Sequence, residues 1–273
     1  MSLSRARIAG FRRTVYGHYR AHGRRALPWR ATKDPYRILV SEFMLQQTQV
    51  ARVAGKYESF LRRFPDFDTL ARSALRDVLE EWSGLGYNRR ALQLRETARL
   101  VVSRFKGKLP RDARALRALP GVGPSTAAGI LNFAFNEPHA FIETNIRAAF
   151  IREFFTGRKK IADAEILPLV EETMDAKNPR RWFYALMDFG VGLKRSGPNP
   201  SRRSAHHARQ SRFEGSVRQA RGLIIKTLAA GPRDVRELAR ETGLDAGRIQ
   251  SVLPALSRDG LIVRRGKKLH IGA

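Results

Sequence analysis

From Arg5 to about residue 192 the apolar residues recur at helical spacing, and each break in that pattern is only a few residues long. Ile8, Phe11, Val15 and Tyr19 mark a basic amphipathic helix over 5–22, which Leu27-Pro28-Trp29-Arg30 ends. Asp34-Pro35 opens the next, since Asp caps a helix and Pro suits its first turn. That helix is expected to run to about Tyr57. Further helical patterns cover about 67–74, 75–82, 88–105, 111–118, 124–135, 143–156, 162–176 and 179–192, divided by breaks such as Gly84-Leu85-Gly86 and Gly107-Lys108-Leu109-Pro110. Little strand signal precedes residue 260. A chain patterned this way is all-α over its first 195 residues.

The composition changes at Lys194. Residues 194–221 hold eight Lys or Arg and one acid, Glu214, and read as a basic linker or extended arm, either in contact with phosphate or simply solvated. Helical patterns return at 216–230, 235–241 and 246–258. Two short strand patterns flank the basic tip Arg264-Arg265-Gly266-Lys267-Lys268. Helix, helix, turn, helix and basic hairpin are the order of a winged helix-turn-helix domain, which serves as a DNA-binding or a protein-binding module. The resulting division is a helical domain over 1–195, a linker over 196–215 and a winged helix over 216–273.

Fifty-two Lys and Arg against 25 Asp and Glu give a formal charge of +27, a balance that suits a polyanionic partner, nucleic acid before a membrane surface. The chain has no cysteine, which excludes disulfides, thiolate zinc sites, cysteine nucleophiles and iron–sulfur clusters. No run of about 18 apolar residues is present. The first 30 residues lack the apolar core of a signal peptide, so an intracellular protein is expected.

Three segments carry candidate chemistry. In Arg37-Ile38-Leu39-Val40-Ser41-Glu42-Phe43-Met44-Leu45-Gln46-Gln47, apolar neighbours flank Glu42 on a helix. A carboxylate there is either desolvated, with its pKa raised toward the range of a general acid, or simply on an exposed stripe. Gln46, four residues on, is expected to share its face, and paired amides can read base edges. Leu119-Pro120-Gly121-Val122-Gly123 lies between two helical patterns, and such a hairpin offers backbone N–H groups to phosphate. Glu143, in Phe141-Ile142-Glu143-Thr144-Asn145, falls in the first turn or at the cap of another helix. It either serves the helix dipole or stabilises positive charge on a sugar whose glycosidic bond is breaking.

Taken together, these segments, with Leu27-Pro28-Trp29-Arg30, Trp82-Ser83-Gly84-Leu85-Gly86-Tyr87 and Ala185-Leu186-Met187-Asp188-Phe189-Gly190, resemble the helix-hairpin-helix DNA glycosylases over roughly residues 5–195. Within that superfamily they are most similar to the adenine-specific, MutY-type enzymes. The resemblance implies a two-lobed fold, with a six-helix barrel over about 31–136 and a second lobe from 1–30 plus 137–193. It implies that Glu42 is the catalytic acid, Glu143 the second catalytic carboxylate and Asn145 an active-site asparagine. Gln46, Gln47 and Tyr87 fall on residues that wedge into the duplex around a flipped base. Ser125 stands where bifunctional relatives carry a Schiff-base lysine, which implies hydrolysis by water without strand cleavage. Leu119, Gly121, Val122 and Gly123, with Arg264, Arg265, Lys267 and Lys268, are the expected DNA contacts. Duplex DNA with a mispaired or damaged base is the implied partner of a monomer. No metal or cofactor is expected, although the hairpin leaves room for a monovalent cation.

Four departures bear on substrate. Glu143 stands where the family has Asp; Lys194 to Ser201 replace a cysteine-rich stretch that binds an iron–sulfur cluster; the winged helix stands in place of a domain that recognises 8-oxoguanine; and Asn88 replaces a second aromatic after Tyr87. Adenine opposite 8-oxoguanine or guanine is the expected target. Uracil or thymine opposite guanine, hypoxanthine or a damaged purine is the alternative, and a catalytically retired DNA-binding regulator is a third reading.

Overall fold

The computed structural model describes residues 3–208 and 212–273. Helices dominate it: α1 (Arg5–His22), α2 (Pro35–Leu45), α3 (Val50–Arg63), α4 (Phe67–Arg72), α5 (Leu75–Trp82), α6 (Arg89–Phe105), α7 (Ala113–Arg117), α8 (Pro124–Ile130), α9 (Thr144–Phe154), α10 (Asp163–Thr173), α11 (Pro179–Arg195), α12 (Val217–Ala230), α13 (Val235–Thr242) and α14 (Ala246–Arg258). They are followed by the antiparallel strands β1 (Ile262–Arg265) and β2 (Lys268–Ile271). The described chain forms two compact units, one from residues 3–38, 111–118 and 122–208, the other from 39–110, 119–121 and 212–273.

Local chemistry sets many of the helix boundaries. Ser4, Asp66, Asp112, Ser216, Asp234 and Asp245 each cap a helix by accepting an amide of its first turn. The sequence reading joined residues 35–57 in one helix, whereas the structure breaks it after Leu45 and restarts it at Val50. Gln47 sits at φ 55°, a left-handed conformation that cannot continue a right-handed helix. Gln46 therefore does not share a helical face with Glu42.

In the first unit α1 packs on α11. Phe11 meets Phe150, Phe154 and Trp182 edge-on, with ring centroids 5.3, 5.1 and 5.9 Å away. Asp188 of α11, 3% exposed, receives Arg24 Nε at 2.6 Å and Arg30 Nη1 and Nη2 at 2.6 and 3.0 Å, and Arg30 also covers the Tyr184 ring. Thus Leu27-Pro28-Trp29-Arg30 and Met187-Asp188-Phe189, far apart in sequence, are two halves of one ion cluster. The segment after α11 differs from the extended arm expected of it. Pro200–Arg203 forms a 3-10 turn against α9, with Ser201 and Ser204 buried. Arg203 donates to the carbonyls of Ile151 and Phe155 at 2.8 and 2.7 Å, covering the C-terminal end of α9, while Ile161 pairs with Arg203 and Ala205 through backbone bonds. Arg203 thus caps carbonyls, while Arg195 and Arg202 stay exposed.

In the second unit Phe60, Phe64 and Trp82 centre the core of α3 and α5, and α6 packs on α4 and α5. The C-terminal helices belong to this unit: α12 lies on α5 as well as on α13 and α14, and Arg95 of α6 donates to the Ala273 carbonyl at 3.0 Å. Leu238, Ile249, Leu256, Leu261 and Leu269 fill the small core beneath the hairpin. Among the described residues no helix is long and apolar enough to cross a membrane.

Burial pushes the Asp188 carboxyl up, but the bonds and charges of Arg30 and Arg24 outweigh it and hold it below the usual range. A depressed carboxylate contributes stability above its unfolded pKa, and that stability is lost as pH falls through its folded value. Asp188→Asn leaves two guanidinium groups without their anion and is expected to cost about 3–5 kcal/mol at pH 7. Urea unfolding should show the deficit shrinking as pH drops below the carboxylate range.

Candidate active-site residues

Glu42 lies on α2, half-buried between the buried Ser41 and Phe43. The end of its helix is fixed by Arg90, which is 7% exposed. Arg90 Nη1 donates to the carbonyls of Phe43 at 2.7 Å, Met44 at 3.1 Å and Gln46; Nη2 donates to Thr48 Oγ1 at 2.9 Å and to the carbonyls of Leu85 at 3.3 Å and Gly86 at 3.0 Å. The same guanidinium lies over the rings of Trp82 and Tyr87, 5.4 Å from each centroid. One cation therefore satisfies the free carbonyls at the end of α2 and the carbonyls of the Gly84-Leu85-Gly86 break. Burial lowers its pKa to about 10, which leaves it charged at neutral pH.

Gln46, Gln47 and Tyr87 are brought together by this clasp. Both Gln47 and Tyr87 have positive φ, 55° and 49°, conformations that non-glycine residues rarely take and that concentrate at functional sites. Gln46 Nε2 donates to the Gly121 carbonyl at 3.3 Å. The hairpin is thus tied to the α2 terminus: a Cβ at Gly121, where φ is 76°, would stand 2.7 Å from the Phe43 ring. Leu119 and Val122 are buried, whereas Gly123, Pro124 and Ser125 at the start of α8 are exposed. Ser125 Oγ donates to the Ile142 carbonyl at 3.3 Å.

In the other unit Glu143 is the N-cap of α9. Its Oε1 accepts the amides of Asn145 and Ile146, both at 2.8 Å, and its Oε2 accepts Asn145 Nδ2 at 3.0 Å. Lys194 Nζ donates to Asn145 Oδ1 at 2.9 Å. Desolvation pushes the Glu143 carboxyl above its ordinary value, against the pull of the two amides, Lys194 and Arg147. Burial lowers Lys194 in turn, against the pull of Glu143. Asn145 thus bridges a carboxylate of raised pKa and a half-buried amine. Gly190 makes this possible, because a Cβ there would lie 2.1 Å from the Asn145 carbonyl oxygen.

Sequence reasoning missed Lys194, read as the start of a basic arm, and missed Arg90, read only as part of a helix. Lys194 acts on Asn145, 49 positions away, and Arg90 reaches across 42 to 47 positions to Phe43 and Thr48 as well as back to Leu85 and Gly86, so a reading of local pattern finds neither role. Arg264, Arg265, Lys267 and Lys268 are all exposed on the hairpin, with Gly266 at φ 60° in the turn and Lys268 3.9 Å from Glu237. Among the described residues no group of three or more His, Cys, Asp and Glu is arranged to hold a metal. The segment from Lys194 to Ser204 has no thiolate and does not fit an iron–sulfur cluster; serine and arginine bonds order it.

These features define a helix-hairpin-helix arrangement in which Arg90 fixes the turns that carry Gln46, Gln47 and Tyr87, and Lys194 holds the Asn145 side chain beside Glu143. Residues 40–172 match the model of the HhH-GPD superfamily base excision DNA repair proteins. An adenine DNA glycosylase of Mycobacterium tuberculosis is 32% identical, with 90% of this chain and 88% of the relative covered. One from Buchnera aphidicola is 37% identical over 66% of this chain and 52% of the relative. The chain thus spans about half the length of several curated relatives it matches. Among solved structures, a thermostable thymine-DNA glycosylase superposes with a TM-score of 0.60 at 28% identity, covering 68% of this chain and 87% of that one. An endonuclease III in complex with DNA superposes at 0.58 with 16% identity, covering 68% and 86%, a likeness of fold. The chain belongs to the HhH-GPD superfamily, and its curated relatives there include adenine DNA glycosylases.

Gly121→Ala forces a Cβ into the Phe43 ring at a left-handed backbone position. It is expected to destabilise the protein by about 1–3 kcal/mol, measured as a lowered midpoint in urea.

Proposed function

We propose that the protein is a monofunctional DNA glycosylase that releases adenine mispaired with 8-oxoguanine or guanine. The observation that carries this reading is the similarity to an adenine DNA glycosylase along 88% of that relative's length, with Glu42, Glu143 and Asn145 standing at the positions the resemblance assigns to chemistry. Glu42 protonates the adenine ring, which weakens the glycosidic bond. The sugar left behind develops positive charge, and the ionised Glu143 offsets it while water adds. Asn145 holds Oε2 in place and Lys194 holds Asn145. Ser125 supplies no amine, so the product is an abasic site on an intact strand. Gln46, Gln47 and Tyr87 occupy the gap left by the flipped base. The exposed hairpin start and the basic tip at Arg264, Arg265, Lys267 and Lys268 bind phosphates.

Similarity to a thymine-DNA glycosylase favours a second reading, thymine or uracil opposite guanine. Base release from a duplex panel, followed by alkali cleavage, separates the two. Adenine mispairs are expected to react and thymine and uracil mispairs not, with Glu42→Gln slowing release by about 100-fold or more. Release at the wild-type rate by Glu42→Gln overturns the mechanism.

Glu143 acts only when ionised. Because its pKa is raised, release should fall with decreasing pH from a higher point than an ordinary carboxylate would give. Removing the Lys194 charge raises Glu143 further. In single-turnover pH profiles Lys194→Met is therefore expected to move the acid limb to higher pH, and Lys194→Arg to restore it.

A further inference from the structure

The winged helix does more in this unit than carry a basic hairpin. Its first helix, α12, lies against the wedge residues. Arg218 Nη1 donates to the Tyr87 hydroxyl at 3.3 Å, and its guanidinium stands 5.9 Å from the Tyr87 ring centroid. Arg221, three residues on and on the same face, is paired with Asp259 of α14, which also lies 3.6 Å from Arg89. Between α12 and the clasped turns is a cavity of about 390 Å³, and Gln46, Gln47, Tyr87, Asn88, Arg218 and Arg221 line it. That volume falls in the range of small-ligand sites.

From this cavity we infer a nucleobase-binding site that takes the unpaired purine of the opposite strand, a guanine-type base, with α12 of the winged helix forming one wall. The inference rests on the glycosylase reading, in which Gln47 and Tyr87 enter the duplex and leave the opposite base without a partner. Three features select that ligand. Tyr87 supplies an aromatic face for stacking. Arg218 and Arg221 supply planar donors of the kind that pair with the O6 and N7 edge of guanine. Gln46, Gln47 and Asn88 carry both donors and acceptors, which a base edge needs and a phosphate does not. A phosphate site would not require the two strained backbone positions that aim Gln47 and Tyr87 into the same space.

Two measurements test this. The first is anisotropy-based binding of duplexes that differ only in the residue opposite adenine: 8-oxoguanine, guanine, or a tetrahydrofuran abasic analogue. The second is single-turnover adenine release from the same duplexes. The wild-type protein should prefer a guanine-type base over the abasic analogue by about tenfold or more. Arg218→Met and Arg221→Met should each erase most of that preference, and Arg218→Lys, which keeps the charge but not the planar fork, should also lower it. Thermal melts show whether each variant is folded. An equal preference in wild type and a folded Arg218→Met protein overturns the site, as does a wild-type protein indifferent to the opposite base. Failure of the glycosylase reading looks different, because it removes adenine release from every duplex and leaves the binding comparison intact.

Discussion

Arg90 is the interaction on which the candidate site depends. A buried cation with no carboxylate against it is costly unless many dipoles compensate it. Here five backbone carbonyls, one hydroxyl and two aromatic faces do so. The arrangement stops α2 just past Glu42, turns Gln46 and Gln47 out of the helix and draws the Gly86-Tyr87 turn against them. Each of these needs backbone that neither helix nor strand would satisfy. Removing the guanidinium would take a donor from the Phe43 and Met44 carbonyls, at about 1–3 kcal/mol for each one left unpaired, whereas the Gly86 carbonyl keeps Trp82 Nε1 at 3.0 Å.

A second pattern recurs across both units. A small part of the basic content that reads from composition as a polyanion-binding surface faces inward. Arg90, Arg95, Arg180 and Arg203 cap carbonyl groups, and Arg24 and Arg30 hold Asp188. Arg203 and two buried serines order the segment after α11. Net charge thus overstates the footprint available to a partner, while the exposed hairpin at Arg264 to Lys268 remains part of it.

The helical pattern, the Asp34 cap and the order of three helices and a hairpin near the C-terminal end were legible because they rest on local periodicity and on single residues, Asp34 accepting the Arg37 amide at 2.9 Å. The break after Leu45 was not, because the sequence there is apolar and helical in habit and the residue that ends it lies in α6. Asp188 and Gly190 stood out in the sequence as parts of a familiar motif, but only the fold gives their reasons. Asp188 answers Arg30, and Gly190 lets α11 touch the backbone of Asn145. Lys194 was misread for the same cause as Arg90, since a charge alone does not say whether it faces solvent or a buried carboxylate. The role of α12 beside Tyr87 was beyond sequence altogether, because nothing local ties position 218 to position 87.

In the proposed mechanism the Arg90 clasp holds the Gln46-Gln47 turn and Tyr87 ready to displace a base. Stopped-flow fluorescence with 2-aminopurine as the target base opposite 8-oxoguanine tests it most directly, comparing wild type with Arg90→Met below the melting temperature of the variant. The account predicts a rapid fluorescence rise on mixing with wild type and its loss in Arg90→Met while the duplex is still bound. A rise of equal rate and amplitude in the folded variant would contradict it.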